Sequence, residues 1–254
     1  MESRQTERPD AAVSLPSVDD SYSVKLLPFV LCVIAGSVDV IGFLGLEALF
    51  TSHITGNLVV FAARLVTHEQ ATVASLIAVP VFMVALVLTR LLVAGLERAG
   101  IASLLPLLLL QFLLLSASFI VCVAAGRSVD PTSANIVFAG MLGVSAMAVQ
   151  NALVRVSLTG APSTAVMTTN VTTFTMDVGE VLFGRNASSA TKARNRARHT
   201  WPMIAGFILG CASGAPVEAM IGLRALVLPV GLALLALCLG IAATRRSRPV
   251  TVTQ

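Results

Sequence analysis

Long apolar segments separated by short polar stretches run along most of this chain. They lie at residues 26–47, 54–67, 72–97, 101–126, 133–157, 164–184, 200–220 and 225–244. Most approach the roughly 20 apolar residues with which a helix crosses a bilayer. The pattern therefore predicts an all-α fold, a polytopic transmembrane helical bundle. Residues 1–24, which are rich in Ser, Pro, Asp and Arg, are predicted to form a disordered N-terminal tail.

A polar motif occurs twice within this apolar sequence. The pattern T-x-x-x-T-x-N-x-x-x-F begins at Thr51 and again at Thr164, so an offset of 113 residues relates the two copies. Polar residues at membrane depth are costly unless partners, water or substrate satisfy them. Two matching interruptions indicate two internal repeats, at 25–126 and 127–244, with a site between the halves.

The two apolar segments that carry the motif are predicted to be short or broken helices. Segment 54–67 is too short to cross fully, and 164–184 is its counterpart. If neither crosses, six helices remain as two inverted sets of three, whereas two full crossings would give eight helices in parallel repeats. Basic residues concentrate at 185–198 and in the C-terminal tail 245–254. This bias favours six crossings with both termini in the cytoplasm.

Composition agrees with a membrane protein. The 254 residues are 56% hydrophobic and only 12% charged, whereas a soluble domain carries about a quarter charged residues. The basic flanks of the apolar segments account for the net charge of +4, so no nucleic-acid partner is expected. The sequence holds no hydrolase, metal-ligand or nucleotide-binding motif, which predicts neither an enzyme, a metal site nor a cofactor.

Candidate solute-binding residues lie in the spans and in the repeated motif. Asp39 lies inside the first span, where a carboxylate must be paired or neutral. It would bind a proton, cation or substrate, or else form a structural bond to a neighbouring helix. Gln150 and Asn151 occupy the comparable region of the second half and are expected to face Asp39 across a pseudo-two-fold axis. The other candidates are Thr55, Asn57, Thr168, Asn170 and Asp177. The Thr and Asn side chains among them would bind solute or only stabilise the helix break.

Three further features admit two interpretations each. Arg64 and Asp177 each follow the Phe of their motif by three positions, which predicts an ion pair linking the halves, unless both only reach the membrane interface. His53 would relay protons or merely hydrogen-bond at a membrane edge. Glycines four residues apart would pack within the chain or support a homo-oligomer; they are Gly206, Gly210 and Gly214.

These motifs resemble a known family. The stretch A-G-S-V-D-V-I-G-F at 35–43, followed by F-T-S-H-I-T-G-N at 50–57, resembles the signature of the DUF1275 family, the YoaK-like bacterial membrane proteins. A-V-Q-N-A at 148–152, with the stretch from 164 to 177, is similar to that family's second region. The resemblance covers about residues 26–244 and implies a multi-pass protein of the bacterial inner membrane. The family's function is uncharacterised, so no catalytic residues follow from it.

The leading hypothesis for function is a small secondary transporter or channel for a small polar solute or ion. The alternative is a non-transport membrane assembly or regulatory protein. Transport requires a water-filled cavity, which is expected to be enclosed by Asp39, Asn57, Gln150, Asn170 and Asp177.

Overall fold

The described part of this chain is a bundle of α-helices. The computed structural model describes residues 22–67, 73–126, 132–164 and 167–246, and these contain no strand. The helices are α1 (Tyr22–Gly45), α2 (Ile54–Thr67), α3 (Val73–Arg98), α4 (Leu104–Ala124), α5 (Ala134–Ser157), α6 (Met167–Phe183), α7 (Ala187–Ile221) and α8 (Val227–Arg246). A 3-10 turn, Gly222–Leu226, joins α7 to α8. The predicted helical bundle is confirmed.

The predicted tails fall mainly outside the described residues. Of the tail predicted at 1–24, residues 1–21 lie outside, and 22–24 already belong to α1. Of the basic tail at 245–254, residues 247–254 lie outside and the first two residues end α8.

The lengths of the helices divide them into two classes. Five helical stretches of the described residues are long and apolar enough to cross a membrane: Leu26–Gly45, Val73–Arg98, Leu104–Ala124, Ala134–Ser157 and Ala187–Arg245. The last has 59 residues and contains both α7 and α8. By contrast, α2 has 14 residues and is only about 21 Å long, short of the ~30 Å hydrocarbon core.

Two clusters of buried apolar residues mark the two ends of the bundle. In one, which we call the basic end, the first parts of α1 and α4 pack with the last parts of α3 and α5 and with α8. In the other, the last parts of α1 and α4 pack with the first parts of α3 and α5 and with the 3-10 turn. Hence α1 and α4 run in one direction, while α3 and α5 run in the other. Gly240, near the end of α8, lies against Leu105 and Leu108 at the start of α4, so α8 is antiparallel to α4.

Helix α7 runs parallel to α1. Along α7, Gly206 lies against Phe29, Gly210 against Val33, and Gly214 against Ser37 and Val40. The long helices α1, α3, α4, α5, α7 and α8 therefore alternate in direction. A complete crossing by α2 would make α1 and α3 parallel, and one by α6 would do the same to α5 and α7. The helix directions thus agree with the six-crossing alternative.

The predicted glycine face is buried within the chain. Gly206, Gly210 and Gly214 form the surface of α7 that meets α1. A Cβ atom added to Gly210 would lie 2.9 Å from the backbone nitrogen of Ser37. These contacts fit the alternative in which the glycines pack within the chain, because α1 covers this face.

Candidate functional site

The chain folds back into the bundle after α1. Glu47 and Ala48 adopt left-handed backbone angles, with φ of 57° and 60°, and this conformation ends the helix and reverses the chain. We call residues 46–53 the first connecting segment. It returns to Asp39, which lies six residues before the end of α1 and thus about 9 Å along the helix from that end.

The carboxylate of Asp39 anchors the first connecting segment. Its Oδ1 accepts hydrogen bonds from the backbone nitrogen and Oγ1 of Thr51, both at 2.8 Å, and from the backbone nitrogen of Ser52 at 2.6 Å. Its Oδ2 accepts from Oγ of Ser52 at 2.7 Å. Asp39 is 3% exposed, and such hydrogen bonds satisfy a buried carboxylate. These contacts fit the structural interpretation of Asp39.

His53 lies beside this carboxylate. Its Nδ1 is 2.5 Å from Oδ2 of Asp39, and its ring meets the ring of Phe207 edge-on, with centroids 5.2 Å apart. The His53 side chain is 34% exposed, whereas that of Asp39 is 4% exposed. The imidazole is therefore the accessible member of a buried carboxylate–histidine pair.

The two motif asparagines close the connecting segments. The side chain of Asn57 accepts from the backbone nitrogen of Phe50 at 2.8 Å and donates to its carbonyl oxygen at 2.7 Å. Asn170 Nδ2 donates to the carbonyl oxygen of Ser163 at 2.6 Å. Each asparagine thus reaches back seven residues, and both are buried. Their contacts fit the alternative in which these residues stabilise the helix break.

Gln150 holds the second motif as Asp39 holds the first. Its Nε2 donates to Oγ1 of Thr164 at 3.1 Å and to the carbonyl oxygen of Leu31 at 2.9 Å. Its Oε1 accepts from Nε2 of Gln111 at 2.7 Å. The second connecting segment, 158–166, is thereby tied to α5, although residues 165 and 166 lie outside the described residues.

The expected opposition of Asp39 to Gln150 and Asn151 is wrong. Gln150 reaches α1 at Leu31, eight residues and about 12 Å along the helix from Asp39. Asn151 Nδ2 donates within its own helix, to the carbonyl oxygen of Met147 at 2.9 Å. The acid and the amide each bind the segment that follows their own helix, and Gln150 also contacts α1 and α4 of the first half.

The predicted Arg64–Asp177 ion pair is also wrong. Arg64 Nη1 lies 2.9 Å from Oε2 of Glu47, at the turn of the first connecting segment. Asp177, which is 2% exposed, accepts from Nε of Arg196 at 3.1 and 3.2 Å and also from its Nη2. Helix α6 packs against α7, and this packing brings the guanidinium to Asp177. Each ion pair therefore lies within one half of the chain: Arg64 with Glu47 in the first, and Arg196 with Asp177 in the second.

A cavity of about 790 Å³ lies where the two connecting segments meet. Thr55 and Thr168, the second threonines of the two motif copies, both line it and are both exposed. The apolar part of the wall includes Phe82 and Leu86 of α3. Its remaining polar lining residues are Ser52, His53, Asn151, Arg155, Thr159, Ser163 and Thr169. The cavity is thus formed by both halves of the chain.

Three of the predicted solute-binding residues line the cavity: Thr55, Asn151 and Thr168. The expectation that five other residues enclose the cavity is wrong, because their side chains form hydrogen bonds or an ion pair inside the protein. These five residues are Asp39, Asn57, Gln150, Asn170 and Asp177. Arg155 also lines the cavity and was not predicted as a lining residue. Its position four residues after Asn151, on the same helix face, was the available signal.

The described residues contain no group of three or more His, Cys, Asp or Glu side chains that could hold a metal ion. Neither a curated protein nor a solved structure matches this chain. Residues 27–239 match the family described as a protein of unknown function, DUF1275. Since this match covers most of the chain, the protein belongs to the DUF1275 family.

Proposed function

We propose that the protein is a small secondary transporter or channel for a small polar solute in a bacterial inner membrane. The observation that carries this proposal is the cavity into which Thr55 of one half and Thr168 of the other are both exposed. Solute sites of transporters lie between structural repeats, where broken helices expose polar groups. The lining of the cavity by residues of both motif copies supports this proposal.

Helix packing supports an internal inverted repeat. Helix α1 packs on α7 and α8, while α5 packs on α3 and α4, and α2·α3 corresponds to α6·α7. Exchanging α1–α4 for α5–α8 leaves these contacts unchanged. The corresponding long helices also run in opposite directions, and the hydrogen bonds of Asn57 and Asn170 both span seven residues. A duplicated unit with inverted topology accounts for all these matches.

Charge supports an orientation with the basic end in the cytoplasm. Helix α1 begins, and α3, α5 and α8 end, at the basic end. Arg98 and Arg155 lie there, and the arginines of early α7 are on the same side. Cytoplasmic ends of membrane helices carry such an excess. Residues 158–161 of the cavity wall follow α5, so the cavity approaches the cytoplasmic side.

The alternative assembly or regulatory role has less support. It was based on the glycine face of α7, which α1 covers within the same chain. A partner would have to use another surface.

Solute flux into liposomes containing the purified protein tests the transport proposal. We expect the wild-type protein to carry at least one solute of a broad panel. We also expect Thr55→Trp and Thr168→Trp to reduce that flux at least about tenfold, because an indole would obstruct the cavity. Val59→Trp and Val171→Trp are matched controls on the exposed apolar faces of α2 and α6, and they should retain flux.

The flux comparison requires that each variant inserts into liposomes in the same amount as the wild-type protein and has the same thermal unfolding temperature. Absence of wild-type flux across the panel would refute the proposal. Equal flux in the cavity variants and their controls would show that solute takes another route.

A further inference from the structure

The cavity wall is positively charged. Arg155 and His53 are its ionisable lining residues within the described part of the chain, and no Asp or Glu side chain lines it there. Asp39, the nearby carboxylate, is buried and uses both of its oxygens to bind Thr51, Ser52 and His53. A solute in the cavity therefore meets a guanidinium and an imidazole before it meets any carboxylate.

Arg155 differs from those arginines of the bundle that form ion pairs. Arg64, Arg90 and Arg196 form ion pairs with Glu47, Glu97 and Asp177. Among the described residues, Arg155 forms neither an ion pair nor a hydrogen bond, and its side chain is exposed at the cavity. Its guanidinium thus keeps its hydrogen-bond donors available to a ligand.

Hydroxyl groups and an apolar surface complete the wall. Thr55, Thr168 and Thr169 are exposed to the cavity and can donate hydrogen bonds to an anion. Phe82 and Leu86 supply an apolar surface on α3. The volume of about 790 Å³ lies within the range of small-molecule sites, about 300–1,000 Å³. These features suit a ligand with one anionic group and a small apolar body.

Given the proposed function, on which this assignment rests, we infer that the cavity binds a small monocarboxylate and that Arg155 holds its carboxylate group. The planar guanidinium can donate two parallel hydrogen bonds to the two carboxylate oxygens. The threonine hydroxyls donate further hydrogen bonds, and the apolar body packs toward α3. Arg155 is then a specificity-determining residue, because a neutral analogue lacks the charge that pairs with its guanidinium.

Direct binding to the full-length protein in detergent tests this assignment without requiring transport. Calorimetry would compare acetate with acetamide, and benzoate with benzamide, since each pair differs mainly in charge. We expect at least one acid to bind at least about tenfold more tightly than its amide, because a hydrogen bond to a charged group is stronger than one between neutral groups. Arg155→Gln should remove this preference, and Arg155→Lys should keep part of it.

Arg98→Gln is the matched control, because Arg98 is an exposed arginine at the same end of the bundle but outside the cavity wall. It should bind the acid like the wild-type protein. Equal binding of acids and amides, no binding of either acid, or equal weakening by Arg155→Gln and Arg98→Gln would overturn the assignment.

Flux measurements separate this assignment from the proposed function. Binding of the acid without flux of any solute would leave the anion site and refute transport. Flux of neutral solutes without acid binding would leave transport and refute the anion site.

Discussion

At the scale of single residues, the carboxylate of Asp39 and the amide of Gln150 each hold one connecting segment in place. Asp39 accepts from backbone and side-chain donors of residues 51–53, so it fixes the segment after α1. Gln150 donates to Thr164 and also to α1 at Leu31. A carboxylate only accepts hydrogen bonds, whereas an amide also donates them. The connecting segment of the first half is therefore held by an acceptor, and that of the second half by a donor.

Substituting Asp39 tests whether it acts as an anchor. In Asp39→Asn, one oxygen becomes an NH2 group that faces the donors of Thr51 or Ser52. We expect a loss of about 1–3 kcal/mol in the free energy of unfolding, because buried donors lose their acceptor. Thermal unfolding in detergent would show it as a lower Tm.

Glu97→Gln is the control for this substitution, because Glu97 forms an exposed pair with Arg90 and should change stability by less than about 1 kcal/mol. An Asp39→Asn protein that is as stable as the wild type but has lost flux would contradict the anchoring role. It would instead favour a role of Asp39 in solute or proton binding.

At the scale of helices, apolar patterning predicted the bounds of a helix well where the whole helix is apolar. Segments 101–126 and 133–157 became Leu104–Ala124 and Ala134–Ser157. Helix α7 begins at Ala187 instead of residue 200, because its polar first turns form a helix without being apolar. Asn186 caps this start by accepting from the backbone nitrogen of Ser188. Hydropathy cannot detect a helix that extends beyond the membrane.

Charge partners could not be predicted because they depend on how helices pack. The repeat offset aligned Arg64 with Asp177, but an equivalent position in two repeats implies no contact between them. Arg196 meets Asp177 because α6 packs on α7, which no spacing in the sequence indicates. The motif itself predicted its polar break correctly, since Asn57 and Asn170 act locally on backbone seven residues away.

The close approach of α1 and α7 gives a prediction at this scale. A Cβ atom in Gly210→Ala would collide with the carbonyl oxygen of Val33 and approach the backbone nitrogen of Ser37. Backbone cannot move aside as a side chain can, so we expect a destabilisation of about 1–3 kcal/mol. Thermal unfolding in detergent measures it.

Gly179→Ala in α6 is the matched control, because nothing lies within 4 Å of its added Cβ. It should be neutral or should stabilise the protein by up to about 1 kcal/mol, since Ala favours a helix interior over Gly. Equal effects of the two substitutions would mean that α1 and α7 are not in close contact.

At the scale of the whole molecule, each half of the chain brings one polar break to the same cavity. Helices α2 and α6 each start beside the cavity and lead to the next long helix. Thr51 and Thr164 are held inside, whereas Thr55 and Thr168 are exposed to the cavity. The same motif thus supplies both the anchor and the lining of the cavity.

The accessibility of Thr55→Cys and Thr168→Cys tests this arrangement most directly. Each is made after replacing the native Cys32, Cys122, Cys211 and Cys238, and a membrane-impermeant thiol reagent is added to intact cells or to inside-out vesicles. Arg224→Cys, at an exposed position of the 3-10 turn at the opposite end, is the control for the outer side. We predict that both cavity cysteines react from the cytoplasmic side and that Arg224→Cys reacts from outside. Cavity cysteines that react from opposite sides, or only one that reacts, would contradict a single cavity shared by the two halves.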